Sequence, residues 1–131
     1  AWSIWSHYNE DFAASWLKEV HRILRPGGCA LITVHNDEIV DRYGSEPKLV
    51  QRMAERGGDY KRIKAQYERS GFAYWTAYPA EAKEHGFDVD TFGMAFISRD
   101  YIQKNWAKHF DVVGYTEASP GWQDLCILRK N

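Results

Sequence analysis

The sequence predicts an α/β domain in which helices pack on a small sheet. Three observations carry that expectation. Residues Phe12 to His35 read as an amphipathic helix, a Pro-Gly-Gly stop and an almost wholly apolar strand. A second helix begins after Ser98 and leads into two strand-like runs at the C-terminal end. The length of 131 residues suits one domain with a core of its own.

The first helix is justified by spacing. Phe12, Trp16, Leu17, Val20, Ile23 and Leu24 recur at helical intervals and form one stripe, with Lys18, Glu19, His21, Arg22 and Arg25 mostly off it. Asn9 can cap its start, and Glu10 and Asp11 suit the positive end of the helix dipole. Pro26 disfavours helical geometry at Arg25, and Gly27 or Gly28 supplies a left-handed cap residue. Cys29–His35 then has no polar alternation, the pattern of a strand covered on both faces.

Asn36 to Gly44 reads as a loop or a frayed helical turn; Asp37 and Asp41, four apart, can share a helical face and read as solvated charges rather than a catalytic pair. Ser45 can cap a helix through Arg56, with Pro47 in its first turn. Gly57-Gly58 stops it, and Asp59 can cap another helix to Arg69. Phe72–Tyr78 is rich in strand-favouring residues, with Phe72, Tyr74, Thr76 and Tyr78 on one face. A short helical turn within Pro79–His85, a polar loop from Gly86 to Gly93 and a short strand Met94–Ile97 follow. Ser98 caps a helix over Arg99–His109, which presents Ile102, Trp106 and Phe110. Asp111–Glu117 and Trp122–Arg129 are strands joined through a turn at Ala118–Gly121, an antiparallel hairpin.

Composition excludes several classes. A formal net charge of −1 and no basic stripe argue against a nucleic-acid or anionic-membrane partner. No apolar run reaches membrane-spanning length and no secretory signal is visible. Cys29 and Cys126 both fall in expected core strands, so buried thiols in a reducing cytoplasm are the plain reading. His21, His85 and His109 lack ligand-like spacing, and no metal site is expected.

Leu17-x-x-Val20-x-x-Ile23-Leu24-Arg25-Pro26-Gly27-Gly28 followed by an apolar strand resembles class I S-adenosylmethionine-dependent methyltransferases. It is similar to the segment that joins their fourth and fifth strands. Ser3-Ile-Trp-Ser-His7 resembles the loop after the fourth strand, and Phe110–Tyr115 with Gly121–Arg129 resembles the last two strands. The resemblance implies a truncated Rossmann-like fold: residues 1–35 and 98–131 as framework, and residues 36–97 as a lid-like insertion within a single partial domain. It implies the strand order Cys29–His35, Trp122–Arg129, Asp111–Glu117, the middle strand antiparallel to both neighbours. Trp16, Leu17, Val20, Leu24, Leu31, Ile32, Val34, Ile102, Trp106, Val112, Leu125 and Ile127 are then expected to be largely buried.

The family's glycine-rich turn and ribose-binding acid are not in this sequence. S-adenosylmethionine is therefore expected only if a missing N-terminal part or a partner chain completes the site. Ala1, Trp2 and Ser3 match the loop beside the cofactor; Trp2 can flank an adenine or serve as a core or interface residue. His7 is the candidate general base, or a helix-entry histidine bonded to backbone. His35 ends a strand where open α/β sheets place ligands, and is a substrate-contact candidate or a solvated loop residue. Tyr43, Tyr74 and Trp75 are further substrate-contact candidates, although aromatic residues of the insertion first suggest a private small core.

The function so implied is the acceptor side of a small-molecule methyltransferase, by in-line transfer governed by positioning. The alternative is an independently encoded, non-catalytic domain that binds a small ligand or a protein. A homodimer is expected from the apolar edge of Cys29–His35, by strand pairing or by exchange of the segment around Trp2 and Trp5.

Overall fold

The computed structural model describes residues 1–119 and 122–131. A 3-10 turn at Trp5–His7 leads into α1 (Glu10–Ile23), β1 (Cys29–Val34), α2 (Asp37–Ser45), α3 (Pro47–Glu55) and α4 (Tyr60–Ser70). Then come β2 (Phe72–Trp75), α5 (Pro79–Glu84), β3 (Met94–Ile97), α6 (Arg99–Asn105), a 3-10 turn at Trp106–Lys108, β4 (Phe110–Ser119) and β5 (Gln123–Lys130). No helix among the described residues is long and apolar enough to cross a membrane. The turn expected at Ala118–Gly121 falls in part on residues 120 and 121, outside the described residues.

The framework sheet has the order β1-β5-β4, with β5 antiparallel to both neighbours. That is the order the resemblance implies. Leu31 pairs with Ile127 and Thr33 with Leu125, while Thr116 meets Leu125 on the other side. Ile32, Val34, Cys126 and Leu128 face one core together with Leu17 of α1, Ile102 of α6, Trp106 and Phe110. Burial pushes the Cys126 thiol up to about 12, so it stays protonated there.

The caps act as their residue types suggest. The Asn9 side chain accepts from Phe12 N–H, Ser98 from Tyr101 N–H, and Asp59 from Lys61 and Arg62 N–H. Gly27, after the first helix, holds a φ of +75° that a glycine takes without strain.

Several expectations are corrected. Residues 37–45 form a helix, because Asn36 caps Glu38 N–H and Ile39, Val40 and Tyr43 share a buried face. Asp37 and Asp41 are engaged, not merely solvated: Asp37 accepts from the Tyr67 hydroxyl, and Asp41 pairs with Lys64 at 3.2 Å. The next helix starts at Pro47 after Glu46, not from a Ser45 cap. The strand of the insertion stops at Trp75, and Phe72 and Tyr74 pack towards the framework core while Ala73 and Trp75 pack towards a second core. The helix after Ser98 gives way to a 3-10 turn at Trp106, although Trp106 is buried as expected.

The sheet is covered by helices on one face only. Cys29 and Leu31 are exposed, and Trp16 is 43% exposed because it lies beside Tyr8 and Phe12 at the margin of the stripe. Val20, Leu24, Val112, Leu125 and Ile127 are half-buried. The reading of β1 as doubly covered assumed a second layer that these residues do not form.

A second core within residues 36–97 is built from Ile39, Val40, Tyr43, Met53, Ile63, Tyr67, Trp75 and Phe96. β2 and β3 form a separate antiparallel pair. Ile97 N–H donates to His35 O at 2.7 Å, which ties this pair to the end of β1.

Candidate functional site

The site grows from the carboxyl end of β1, where four short elements meet. Ala1 lies along the free edge of β1: its amino group donates to Leu31 O, and Thr33 N–H donates to Ala1 O at 3.3 Å. Bonds from one residue to two β1 residues two apart are the parallel pattern. Ser3 follows with a left-handed φ of +53°, fixed by its N–H to Thr33 Oγ1 at 2.7 Å. A non-glycine residue held there costs about 1–3 kcal/mol, and such costs cluster at sites. Trp122, the other non-glycine residue with positive φ among those described, stands just before Gln123, which reaches Ser3.

The polar centre is Ser3, Ser6, His7, His35 and Gln123. Gln123 Nε2 donates to Ser3 Oγ at 2.9 Å. That leaves the Ser3 hydroxyl proton for His7 Nε2 at 3.4 Å or for buried Ser6 at 3.5 Å. His7 Nδ1 lies 2.8 Å from Gly93 O. A carbonyl only accepts, so Nδ1 carries the proton and the lone pair of the neutral ring sits on Nε2. The same logic holds for His35, whose Nδ1 donates to Ala95 O at 3.2 Å. Burial drives the His35 pKa down to about 4, against the opposing effect of that hydrogen bond, and the nearby His7 lowers it further. His35 is therefore neutral at physiological pH and offers Nε2 only as an acceptor.

Aromatic rings frame this centre. His7 stacks on Phe92 at 5.2 Å and meets Tyr78 edge-on at 5.8 Å; its ring is 6.5 Å from that of His35. Beyond His35, Phe96 leads to Tyr43 and Trp75, and these line a cavity of about 210 Å³ with Arg52, Met53, Arg56, Tyr78 and Met94. A larger cavity of about 320 Å³ lies beside Asp37, Tyr67, Ser98 and Lys104 and touches none of these histidines. Its main polar groups are already used: Tyr67 donates to Asp37, Tyr101 to Glu10, and Ser98 accepts from Tyr101 N–H.

The expected site residues thus divide. Ser3, His7 and His35 come together, and Tyr43 with Trp75 forms the adjoining cavity. Tyr74 does not join that cavity; its buried hydroxyl lies by Gly93, without a partner among the described residues. Ala1 is spent on pairing with β1, and Trp2 is 57% exposed. His7 is bonded to backbone through Nδ1, as one alternative expected, and its Nε2 faces Ser3 Oγ. Sequence reading missed Ser6, Tyr78, Phe92, Gln123, Arg52 and Arg56. The i, i+4 spacing of Arg52 and Arg56 beside Met53 was the available signal, because it places two cations on one side of a helix. Gln123 and Asp124, at the start of β5, have different roles. Asp124 is structural, accepting from Tyr115 at 2.6 Å and from Asn36, whereas Gln123 belongs to the site.

Among the described residues no group of three or more His, Cys, Asp or Glu is arranged to hold a metal. Ala1–Ser3, the segment expected beside a cofactor, brings no acidic group and no glycine turn. No family model, curated protein or solved structure matches the chain.

Proposed function

We propose that this chain forms the acceptor side of a small-molecule S-adenosylmethionine-dependent methyltransferase, its cofactor cradle supplied by polypeptide outside these 131 residues. The observation that carries the reading is the sheet: Ala1 parallel on β1, then β5 and β4 with β5 reversed. The resemblance in the RPGG segment implies that order. The polar centre also lies at the carboxyl end of β1, where α/β sheets gather ligands.

In this reading the acceptor sits against Phe92, Tyr78 and His7. His7 takes the acceptor's proton at Nε2, because Gly93 O fixes the other nitrogen as the donor. Ser3, held by Thr33 and Gln123, orients that lone pair. His35, kept neutral by burial, accepts a hydrogen bond and does not carry charge. The cofactor's contribution is an electrophilic methyl group.

The test has two stages. The reading frame around the codon for Ala1 is sequenced, and a strand–GxGxG–helix pattern upstream is expected. In the encoded protein, His7→Gln should lower methyl-transfer kcat by about 10²–10⁴, with acceptor KM little changed. A frame that opens just before Ala1, with no heat on titration with millimolar S-adenosylmethionine, would sink the proposal in favour of the non-catalytic binding domain.

A further inference from the structure

We propose that the cavity between α3 and the β2–β3 pair binds a single planar ring bearing a carboxylate, and that Arg52 holds the carboxylate. The inference goes beyond the acceptor-side reading: this cavity shares Tyr78 with the place against His7 and Phe92 but is lined by neither of those residues, so its ligand is a separate one. Aromatic rings form much of the cavity's lining: Tyr43 stands edge-on to Trp75 at 6.2 Å, and Phe96, outside the cavity, stacks on Trp75 at 6.0 Å and holds that ring in place. Tyr78 closes the side towards His7. A volume of about 210 Å³ suits one substituted ring, since a dry cavity of about 150 Å³ admits benzene.

The charge at the mouth selects the sign of the guest. Aromatic boxes by themselves favour cations. Here Arg52 and Arg56 stand over the box, and the Arg56 guanidinium lies 5.0 Å above the Tyr78 ring. Both arginines oppose the upward push that burial exerts on the Tyr43 and Tyr78 hydroxyls, so their positive field reaches the cavity. Arg56 is partly occupied, by Ala77 O at 3.3 Å and Glu81 at 3.4 Å. Arg52 has no ion pair among the described residues. A guanidinium and a carboxylate form a bidentate, charge-assisted pair, which an amide cannot reproduce.

The Trp75 indole N–H is buried and has no hydrogen-bond partner among the described residues. A buried donor without a partner is costly, and its resonance reports any change at the Trp75 ring.

The experiment titrates the chain with benzoate, benzamide and benzyltrimethylammonium, and follows tryptophan fluorescence and the Trp75 indole resonance. Benzoate should bind at least about tenfold more tightly than benzamide, and the ammonium should not bind. Arg52→Gln, an exposed helix position, should remove the preference for benzoate while leaving benzamide binding and the melting temperature unchanged. Equal binding of benzoate and benzamide, an unaltered preference in Arg52→Gln, or no binding of any probe overturns the proposal. None of these binding results depends on methyl transfer, so the acceptor-side reading stands or falls separately on His7 and the reading frame.

Discussion

Acidification should weaken this fold through one histidine. His35 is 8% exposed, and burial holds its pKa at about 4 against an ordinary 6.5. In the unfolded chain it takes up a proton as pH falls through 6.5; in the folded chain it does so only near 4. Between those values the unfolded state binds more protons, so stability is intact above pH 6.5 and is lost progressively down to about pH 4. Each pH unit in that window is worth about 1.4 kcal/mol per proton. Moving from pH 7.5 to 4.5 therefore costs about 2–3 kcal/mol from this residue. Carboxylates titrate over the same range, so the measurement is a difference. Urea unfolding followed by tryptophan fluorescence, at four pH values, compares the parent chain with His35→Gln. The glutamine can still donate to Ala95 O but carries no titrating group. The parent should lose about 2–3 kcal/mol more than the variant over that interval. Parallel curves would refute the reasoning, and would mean that His35 is solvated or paired in the folded state.

Trp106→Ala should destabilise by about 3–5 kcal/mol in urea unfolding, because the ring is 3% exposed between α6 and the sheet; a loss below about 1 kcal/mol would contradict that packing. Gly93→Ala should cost about 1–3 kcal/mol, since a Cβ there would stand 2.3 Å from Trp75 O and 2.7 Å from the Tyr74 hydroxyl. The same substitution should shift the His7 ring resonances, as Gly93 O holds Nδ1; unchanged stability and resonances would show that the loop yields freely.

The framework was legible in the sequence because its signals are local. The Asn9 and Ser98 caps act within a few residues and the structure uses both, whereas the first helix ends at Ile23 with Leu24 already extended, before the Gly27 turn, and Trp16 and Ile23 of its stripe are exposed. Strand order followed from the resemblance and not from pattern. What stayed hidden depends on contacts across the chain. Residues 36–44 look polar, yet they are helical because Ile39, Val40 and Tyr43 find a core made by Ile63, Trp75 and Phe96. Leu31 reads as core by composition and is 49% exposed, because burial depends on what lies opposite and not on the residue alone. His7 and His35 were visible as candidates, but their fixed tautomers were not. Those come from the carbonyls of Gly93 and Ala95, whose positions no side-chain pattern encodes.

The free edge of β1 has a consequence for assembly. An apolar edge strand recruits another chain when its backbone groups lack partners. Here Ala1 takes Leu31 O and Thr33 N–H, and Ile97 takes His35 O. Pairing of two β1 edges therefore competes with bonds the chain already makes, and the homodimer best suited to it is one that exchanges the Ala1–Tyr8 segment. Removing residues 1–3 strips both Ala1 bonds and the Ser3 bond to Thr33 Oγ1, while Trp5 keeps its indole bond to Ala13 O at 3.2 Å. The shortened chain should lose amide protection at Thr33 and should associate more strongly than the parent in sedimentation at micromolar concentration. If Thr33 stays protected and the sedimentation of the two chains is identical, Ala1 is not the cap of this edge, and the backbone groups of β1 are satisfied by another route.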